Sequence, residues 1–486
     1  MKVVVVGAGL GGLAAACHLA GAGHEVVVVE ADDRPGGRAG LLERGDYRVD
    51  TGPTVLTMPH LIDRCFAAAG VDGRDLLTLR KVDPMYRACY ADGTELLVRH
   101  TRDAMREEIR HVCGPAEATA FTRFCDWLTA LYELEMPTFI ERDFDSPLDL
   151  LRPIKPALDL VRMGGFRKLA SVVKEHFADE RLQRIFSFQS MYAGLAPYEA
   201  LAIYAVITYM DSVNGVFVPE GGMHAVPVAL ATAAEKAGAA FRYGERVERI
   251  DVHDGRVTGV RIEGGERIEA SAVVANPDLP VAYRTLLPDL PPRRRVPKPT
   301  YSPSALVWLL GVRGDLPTGT EHHNIHFGHE WDGAFRAILR EGRRMPDPSL
   351  LVSVPSLHDP SLAPPGRHSL YVLEPVPNLD GHVDWRTERS QARDDLLGHL
   401  ERLGYPTDIE IEELTDPLDW ADRGMERGTP FALSHRFLQT GPFRPRNVDR
   451  RARGLVFAGS GTVPGVGVPM VLVSGELASR RVEALA

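Results

Sequence analysis

The chain has 486 residues and a formal net charge of −10, with 44% hydrophobic and 25% charged residues. That size predicts two or three domains with sizeable cores and excludes wholesale disorder. The acidic balance argues against bulk nucleic-acid binding, which needs a basic footprint. Five cysteines (Cys17, Cys65, Cys89, Cys113 and Cys125) lack CxxC spacing, which predicts reduced thiols in a cytoplasmic protein. No uncharged apolar stretch reaches the ~18 residues that a spanning helix needs.

The N-terminus reads strand, turn, helix, strand. Val3 to Val6 is a β-branched run too dense for a surface strand, so it predicts a buried parallel one. Gly7 to Gly12 form the turn, Leu13 to Ala22 a small-residue helix, and Glu25 to Val29 a second strand ending at Glu30. From Leu61 to Trp127 the pattern is mixed, with an amphipathic helix over Arg102–Val112 and a hairpin across Ala91-Asp92-Gly93-Thr94. Leu148 to Tyr209 reads as mostly helix, broken at Pro153, Pro156, Gly164-Gly165 and Pro197.

Pro219 to Gly222 is a tight turn, followed by a helix over Val226–Ala237 and short strands at Ala240–Tyr243, Arg256–Glu263 and Arg267–Glu269. Ala272 to Ala275 predicts a buried strand returning to the first sheet. Pro288 to Pro303 holds six prolines around Arg293-Arg294-Arg295 and suggests a linker. A strand at Leu306–Leu310 and a helix over Ser390–Leu403 follow. The last residues again read strand (Leu455–Ala458), glycine-rich loop (Gly459–Gly467) and helix (Pro469–Arg481). Nucleotide-type segments at the start, middle and end imply a discontinuous first domain with others inserted into it.

Gly7-Ala8-Gly9-Leu10-Gly11-Gly12 fits GxGxxG between a strand and a helix. Gly7 permits the turn, Gly9 lets backbone approach a pyrophosphate, and Gly12 lets helix and strand pack closely. The helix N-terminus offers free N–H groups to phosphate. Glu30, at the end of the second strand, is placed to bind ribose hydroxyls. This context also accounts for the superficial likeness of the first 20 residues to a secretory signal. Asp33 to Arg38, with Gly36-Gly37-Arg38, resembles the continuation seen in glutathione-reductase-type FAD proteins, where Gly37 and Arg38 would approach the dinucleotide. Asp50 to Thr54 resembles their next segment, near the flavin ring. Gly459 to Met470 combines four glycines with a proline suited to a first helical turn. The helix that follows would aim its positive end at the flavin.

With Met191–Ala200, Gly215–Met223, Asp359–Ala363 and Gly428–Phe431, these segments make the whole chain resemble carotenoid desaturases of the bacterial phytoene-desaturase type. The resemblance implies an α/β fold: a discontinuous Rossmann-type FAD-binding domain (1–75, 220–287 and 425–486), an inserted α+β substrate domain (76–145 and 288–424) and a helical, membrane-facing subdomain (146–219). It implies FAD held by Gly7, Gly9, Gly12, Glu30, Gly37, Arg38, Thr54, Val247, Gly459, Gly467, Val468 and Met470. Where the family usually has His, this chain has Val463, so a role for that His does not transfer. No catalytic side chain is identified. The implied reaction introduces double bonds into a long apolar isoprenoid such as phytoene. Oxygen or a quinone is the expected terminal acceptor, because no second GxGxxG offers a nicotinamide site. Related readings are a ketolase, saturase or isomerase, a flavin amine oxidase, and a GDP-dissociation-inhibitor-like binding protein.

His322, His323, His326 and His329 leave open metal ligation, tunnel lining or plain structure; the resemblance implies no metal. Ser434-His435 lacks a GxSxG elbow for hydrolase chemistry. Pro147 to Phe177 carries six cations against three carboxylates, a net +3, among apolar residues. It reads either as a bilayer-interface segment or as a lid packed on its own core. The expected location is cytoplasmic, with reversible attachment at the inner face of the cell membrane.

Overall fold

The computed structural model describes residues 1–151, 153–290 and 299–485. The Arg293–Arg295 run of the expected linker and Arg152 of the basic stretch lie outside them. The first layer is a five-stranded, all-parallel sheet. Its strands are β1 (Lys2–Val6), β2 (Glu25–Val29), β3 (Ala240–Arg242), β4 (Ala272–Ala275) and β5 (Leu455–Phe457), in the order β5-β4-β1-β2-β3. The four valines of β1 are buried, as a central parallel strand covered on both faces requires.

Helix α1 (Leu10–Gly21) and the C-terminal helix α2 (Val468–Glu483) pack on this sheet and on each other. A Cβ on Gly475 of α2 would lie 2.4 Å from the Gly11 carbonyl oxygen, and one on Gly21 would lie 1.7 Å from that of Ala68. Helix α1 starts at Leu10, three residues before the expected Leu13, because only Gly9 keeps an extended conformation (φ −71°, ψ 166°). Gly11 and Gly12 are therefore helical, and they serve packing rather than the turn.

The second large layer is a seven-stranded mixed sheet in the order 408–415, 304–313, 367–376, 350–353, 323–326, 86–89, 95–98. The expected hairpin at Ala91–Thr94 joins its last two strands. The strand expected at Leu306–Leu310 runs over Ser304–Arg313, and the helix expected from Ser390 begins at Trp385, where the Asp384 carboxylate accepts from the Arg386 amide. The hairpin Leu41–Arg44/Tyr47–Asp50 packs Val49 onto this sheet beside Ala305, Val307 and Tyr371. A three-stranded antiparallel sheet (Val247–His253, Arg256–Ile262, Arg267–Glu269) flanks β4. Its first strand was not anticipated as a strand.

Helices fill the third region. The longest, Pro115–Glu135, opens with Pro at its first position, where its missing N–H costs nothing, and packs Phe121, Phe124, Leu128 and Leu131 into one core with Phe177 and Phe186. Between Pro147 and Tyr209 the chain is a series of short helices, as the breaks suggested. Pro156 is the exception: it sits inside the helix Ile154–Arg162, in the first turn, where proline is tolerated. No helix among the described residues is long and apolar enough to cross a membrane.

Candidate active site

The carboxyl ends of β1, β2, β4 and β5 converge on one crevice, where open parallel sheets place ligands. After β1, Gly7 takes φ +95°, and its N–H donates to the Val29 carbonyl at 2.8 Å. After β2, the Glu30 carboxylate accepts from the Ala8 amide at 2.5 Å and the Asp32 amide at 2.9 Å. Burial raises its pKa, while those two amides oppose the rise. The Gly36 amide donates to the Ala8 carbonyl at 2.9 Å. A Cβ on Gly37 would stand 3.3 Å from Gly9 Cα. The two glycine loops are therefore stacked backbone on backbone.

Asn276, directly after β4, is the wedge between the first and last glycine loops. A Cβ on Gly9 would meet its Oδ1 at 2.8 Å, and a Cβ on Gly459 would meet its Nδ2 at 2.8 Å. Its Nδ2 donates to the Ala458 carbonyl at 3.1 Å. The sequence reading missed Asn276. The available signal was its position, one residue past a buried parallel strand, matching that of Glu30.

Arg38 donates through Nη1 to Ser460 Oγ at 2.9 Å, and burial lowers its pKa against the attraction of Asp278. Asp278 is itself held by the amides of Leu279 (3.0 Å) and Glu426 (2.9 Å). The loop after β5 is fixed from behind by Arg444, which the sequence reading also missed. This fully buried guanidinium donates to the carbonyls of Ser460 (2.7 Å), Thr462 (3.0 Å), Leu433 and Gln439 (both 3.3 Å). Burial pushes its pKa down to about 10, which leaves it charged at neutral pH.

These loops open into one cavity of about 1940 Å³, roughly twice the upper end of ordinary small-molecule sites. Eleven of the twelve residues expected at the cofactor line it: Gly7, Gly9, Glu30, Gly37, Arg38, Thr54, Val247, Gly459, Gly467, Val468 and Met470. Gly12 does not. A Cβ there would lie 2.1 Å from the Gly7 carbonyl oxygen, so its part is packing. Val463 also lines the cavity. Beyond the loops the wall turns apolar, with Val206, Met210, Phe188, Phe327, Leu373 and Trp420 among the lining residues. Ile154, Leu158, Val161, Phe166 and Phe437 line it as well, yet stay 46–63% exposed, so they form its rim.

The histidine cluster is distributed through the sheet. His323 approaches the carbonyls of Thr54 (3.0 Å) and Met85 (3.1 Å), His322 faces His358 at 3.3 Å, and His326 meets the Tyr405 hydroxyl at 3.1 Å. Burial pushes His323 and His326 down to about 4, so both are neutral and structural. Ser434 donates to the Thr300 carbonyl, while the His435 ring faces Thr440.

The residues present fit a flavin dinucleotide. Backbone lies bare where side chains would intrude, the half-buried Arg38 guanidinium reaches the cavity, and neither α1 nor α2 has a side-chain cap on its N-terminal amides. Free amides of that kind suit phosphate and developing negative charge. The profile of the family described as flavin containing amine oxidoreductase matches residues 10–483. A Streptomyces griseus protein described as phytoene dehydrogenase is 50% identical over 489 residues, covering 99% of this chain and 94% of its own. The chain belongs to the bacterial-type carotenoid desaturases.

A Myxococcus xanthus protein described as zeta-carotene-forming phytoene desaturase is 38% identical over 486 residues, covering 99% of this chain and 93% of its own. Among solved structures, an oxidoreductase from Methanosarcina mazei shares the fold (TM-score 0.64, 19% identity, 99% of this chain and 100% of that one). This desaturase-family chain is thus an FAD-dependent oxidoreductase with the α/β architecture of the flavin amine oxidases.

Proposed function

We propose that the protein introduces double bonds into a long apolar isoprenoid, with phytoene the first candidate and oxygen or a quinone as terminal acceptor. One observation carries this reading: a single cavity joins the dinucleotide cradle to an apolar bore whose rim is hydrophobic. Gly7, Gly9, Gly37 and Gly459 would admit the dinucleotide backbone to backbone, Glu30 would take the ribose, and Arg38 and the α1 amides the phosphates. Thr54, Gly467, Val468 and Met470 would border the flavin ring, and Val247 the adenine. When bound, FAD supplies a two-electron hydride acceptor. The chain's own residues orient the hydrocarbon against it and exclude water. In domain terms, 1–75, 220–287 and 425–486 would hold the cofactor, 76–145 and 288–424 the substrate, and 146–219 the entrance. Incubating the flavin-loaded protein anaerobically with phytoene should bleach the flavin and give a polyene spectrum. A loaded protein that does neither with phytoene removes the substrate assignment.

The rim supports reversible docking on a bilayer. Leu148 and Leu438 are 63% and 62% exposed and stand outside the cavity lining. The formal +3 is what remains after Arg162 pairs with Asp159 (3.1 Å) and Arg167 with Glu175, while Lys168 donates to the Glu199 carbonyl (2.8 Å) and keeps its charge. Apolar burial adds to that electrostatic attraction, which is about 3 kcal/mol for net +3 near anionic lipid. Burying two leucines that are each about 60% exposed is worth roughly 2–4 kcal/mol. The double substitution Leu148→Ser/Leu438→Ser should lower co-sedimentation with phospholipid vesicles on the order of 10²-fold, with turnover of detergent-dispersed substrate retained. Unchanged co-sedimentation would remove the rim as the docking surface.

A further inference from the structure

A hydrocarbon bore needs no ionisable groups, yet two fully enclosed carboxyls, Asp211 and Glu135, reach the cavity wall. Their surroundings differ. Glu135 Oε1 has no hydrogen-bond partner, and burial alone holds its pKa well above the usual carboxylate range. Nothing aims it. Asp211 is aimed: Oδ1 accepts from Ser212 Oγ at 2.6 Å and Gln189 Nε2 at 3.4 Å, and Oδ2 accepts from the Tyr86 hydroxyl at 3.3 Å. Gln189 is fixed in turn by the Ile185 carbonyl (2.9 Å) and the Thr208 hydroxyl (3.2 Å). Asp211 sits in the helix Ala205–Ser212, next to Met210, which packs into the same core as Leu56 and Val468 beside the cofactor cradle.

We propose that Asp211 is the proton acceptor of the desaturation. The proposal rests on the isoprenoid reading above. As one C–H bond of the saturated pair gives up its hydride, with both electrons, to the flavin, the C–H bond on the adjacent carbon breaks. Its proton goes to Asp211 and its electron pair becomes the new C=C bond. FAD is reduced by two electrons, and the hydrocarbon loses two hydrogens.

Geometry and chemistry agree on this choice. Burial raises the Asp211 carboxyl to about 7 against the hydrogen bonds from Ser212, Tyr86 and Gln189. A general base is most effective when its pKa lies near the working pH. The titratable groups facing it are the phenols of Tyr86 and Tyr192, from the strand Tyr86–Cys89 and the turn Phe188–Ala193. Burial raises both phenols, so they stay protonated and Tyr86 remains a donor. The sequence offered no cue, because Asp211 is a lone acid between Met210 and Ser212 with no motif around it.

The experiment compares wild type, Asp211→Asn, Asp211→Glu and Tyr86→Phe, all FAD-loaded, in single-turnover flavin bleaching from about pH 5.5 to 9. Wild-type bleaching should accelerate with pH through a midpoint near 7. Asp211→Asn should slow it 10²- to 10⁴-fold and flatten the profile, with flavin content and substrate-induced quenching of tryptophan fluorescence unchanged. Asp211→Glu should recover part of the rate. Tyr86→Phe, which keeps the carboxylate but removes a donor, should move the midpoint upward. Separately, infrared difference spectra of substrate-free protein, wild type minus Asp211→Asn, should contain a carboxyl band titrating near pH 7. Asp211→Asn bleaching within tenfold of wild type, or losing substrate quenching in step with rate, overturns the proposal. If wild type turns over no isoprenoid, the substrate reading fails instead. Asp211 is then judged on the infrared titration, and absence of that band overturns it.

Discussion

Gly12→Ala should yield a chain that neither retains flavin nor folds to a stable sheet. The added Cβ would sit 2.1 Å from the Gly7 carbonyl oxygen and 3.3 Å from its carbonyl carbon. Both are backbone atoms of the phosphate turn, so no rotamer change relieves the contact. Helix α1 would have to lift from β1, uncoupling Leu13, Ala14 and Ala16 from a core in which they are fully buried. A cost of about 4 kcal/mol or more is expected. Gly12 is inside the helix, so alanine would otherwise favour the fold through helix propensity. The control is Gly398→Ala in the helix Trp385–Arg402, where a Cβ meets only the Arg402 Nη1 at 3.4 Å. That change should stabilise by up to about 1 kcal/mol. Flavin-to-protein absorbance ratios and thermal unfolding report both. A flavin-loaded Gly12→Ala protein with wild-type stability would refute the packing role.

Arg444→Met should be comparably severe, although Arg444 is not among the residues lining the cavity. The substitution strips the Ser460, Thr462, Leu433 and Gln439 carbonyls of their shared guanidinium. Each buried carbonyl left without a donor costs about 1–3 kcal/mol. Ser460 also receives Arg38 through its hydroxyl, so the loss reaches the phosphate-side cation. Arg444→Lys should fail as well, because an ammonium cannot reproduce a planar fork of five donors. Both variants should show lower flavin content and an earlier thermal transition. Full retention of flavin in Arg444→Met would show that the C-terminal loop holds its shape unaided.

Where a local pattern carried a physical requirement, it was legible in the sequence. The valines of β1, Gly7 and Gly9 of the first turn, the strand at Ala272–Ala275 and the hairpin at Ala91–Thr94 fall where periodicity and turn chemistry placed them, whereas Gly11 and Gly12 belong to the helix. Amphipathic signatures located the helix Arg102–Val112 to the residue. What stayed hidden depends on partners far away in the chain. Asn276 matters because Gly9 and Gly459 close around it, and Arg444 because four carbonyls from three segments point at it. The strand Val247–His253 was obscured by its charged residues Glu248, Arg249 and Asp251, which its half-exposed sheet tolerates. The apolar residues of the Pro147–Phe177 stretch divide between the two readings offered for it. Leu160, Leu169, Val173 and Phe177 are buried against the protein's own helices, whereas Leu148, Ile154, Leu158 and Val161 are not.

The order of the parallel sheet has a consequence for synthesis. β1 is made first, but one of its two neighbours is β4, and β4 in turn waits for β5 at Leu455–Phe457. The Asn276 wedge likewise has nothing to clasp until Ala458 and Gly459 exist. A nascent chain can pair β1 with β2 early and cover part of α1 with the helix Ala225–Lys236, but the face of α1 that packs on α2 stays uncovered until the last residues are made. Such exposed apolar surface is what makes long-range folds prone to aggregation. A chain that stops before residue 455 lacks β5 and the loop after it, and so cannot complete the dinucleotide cradle.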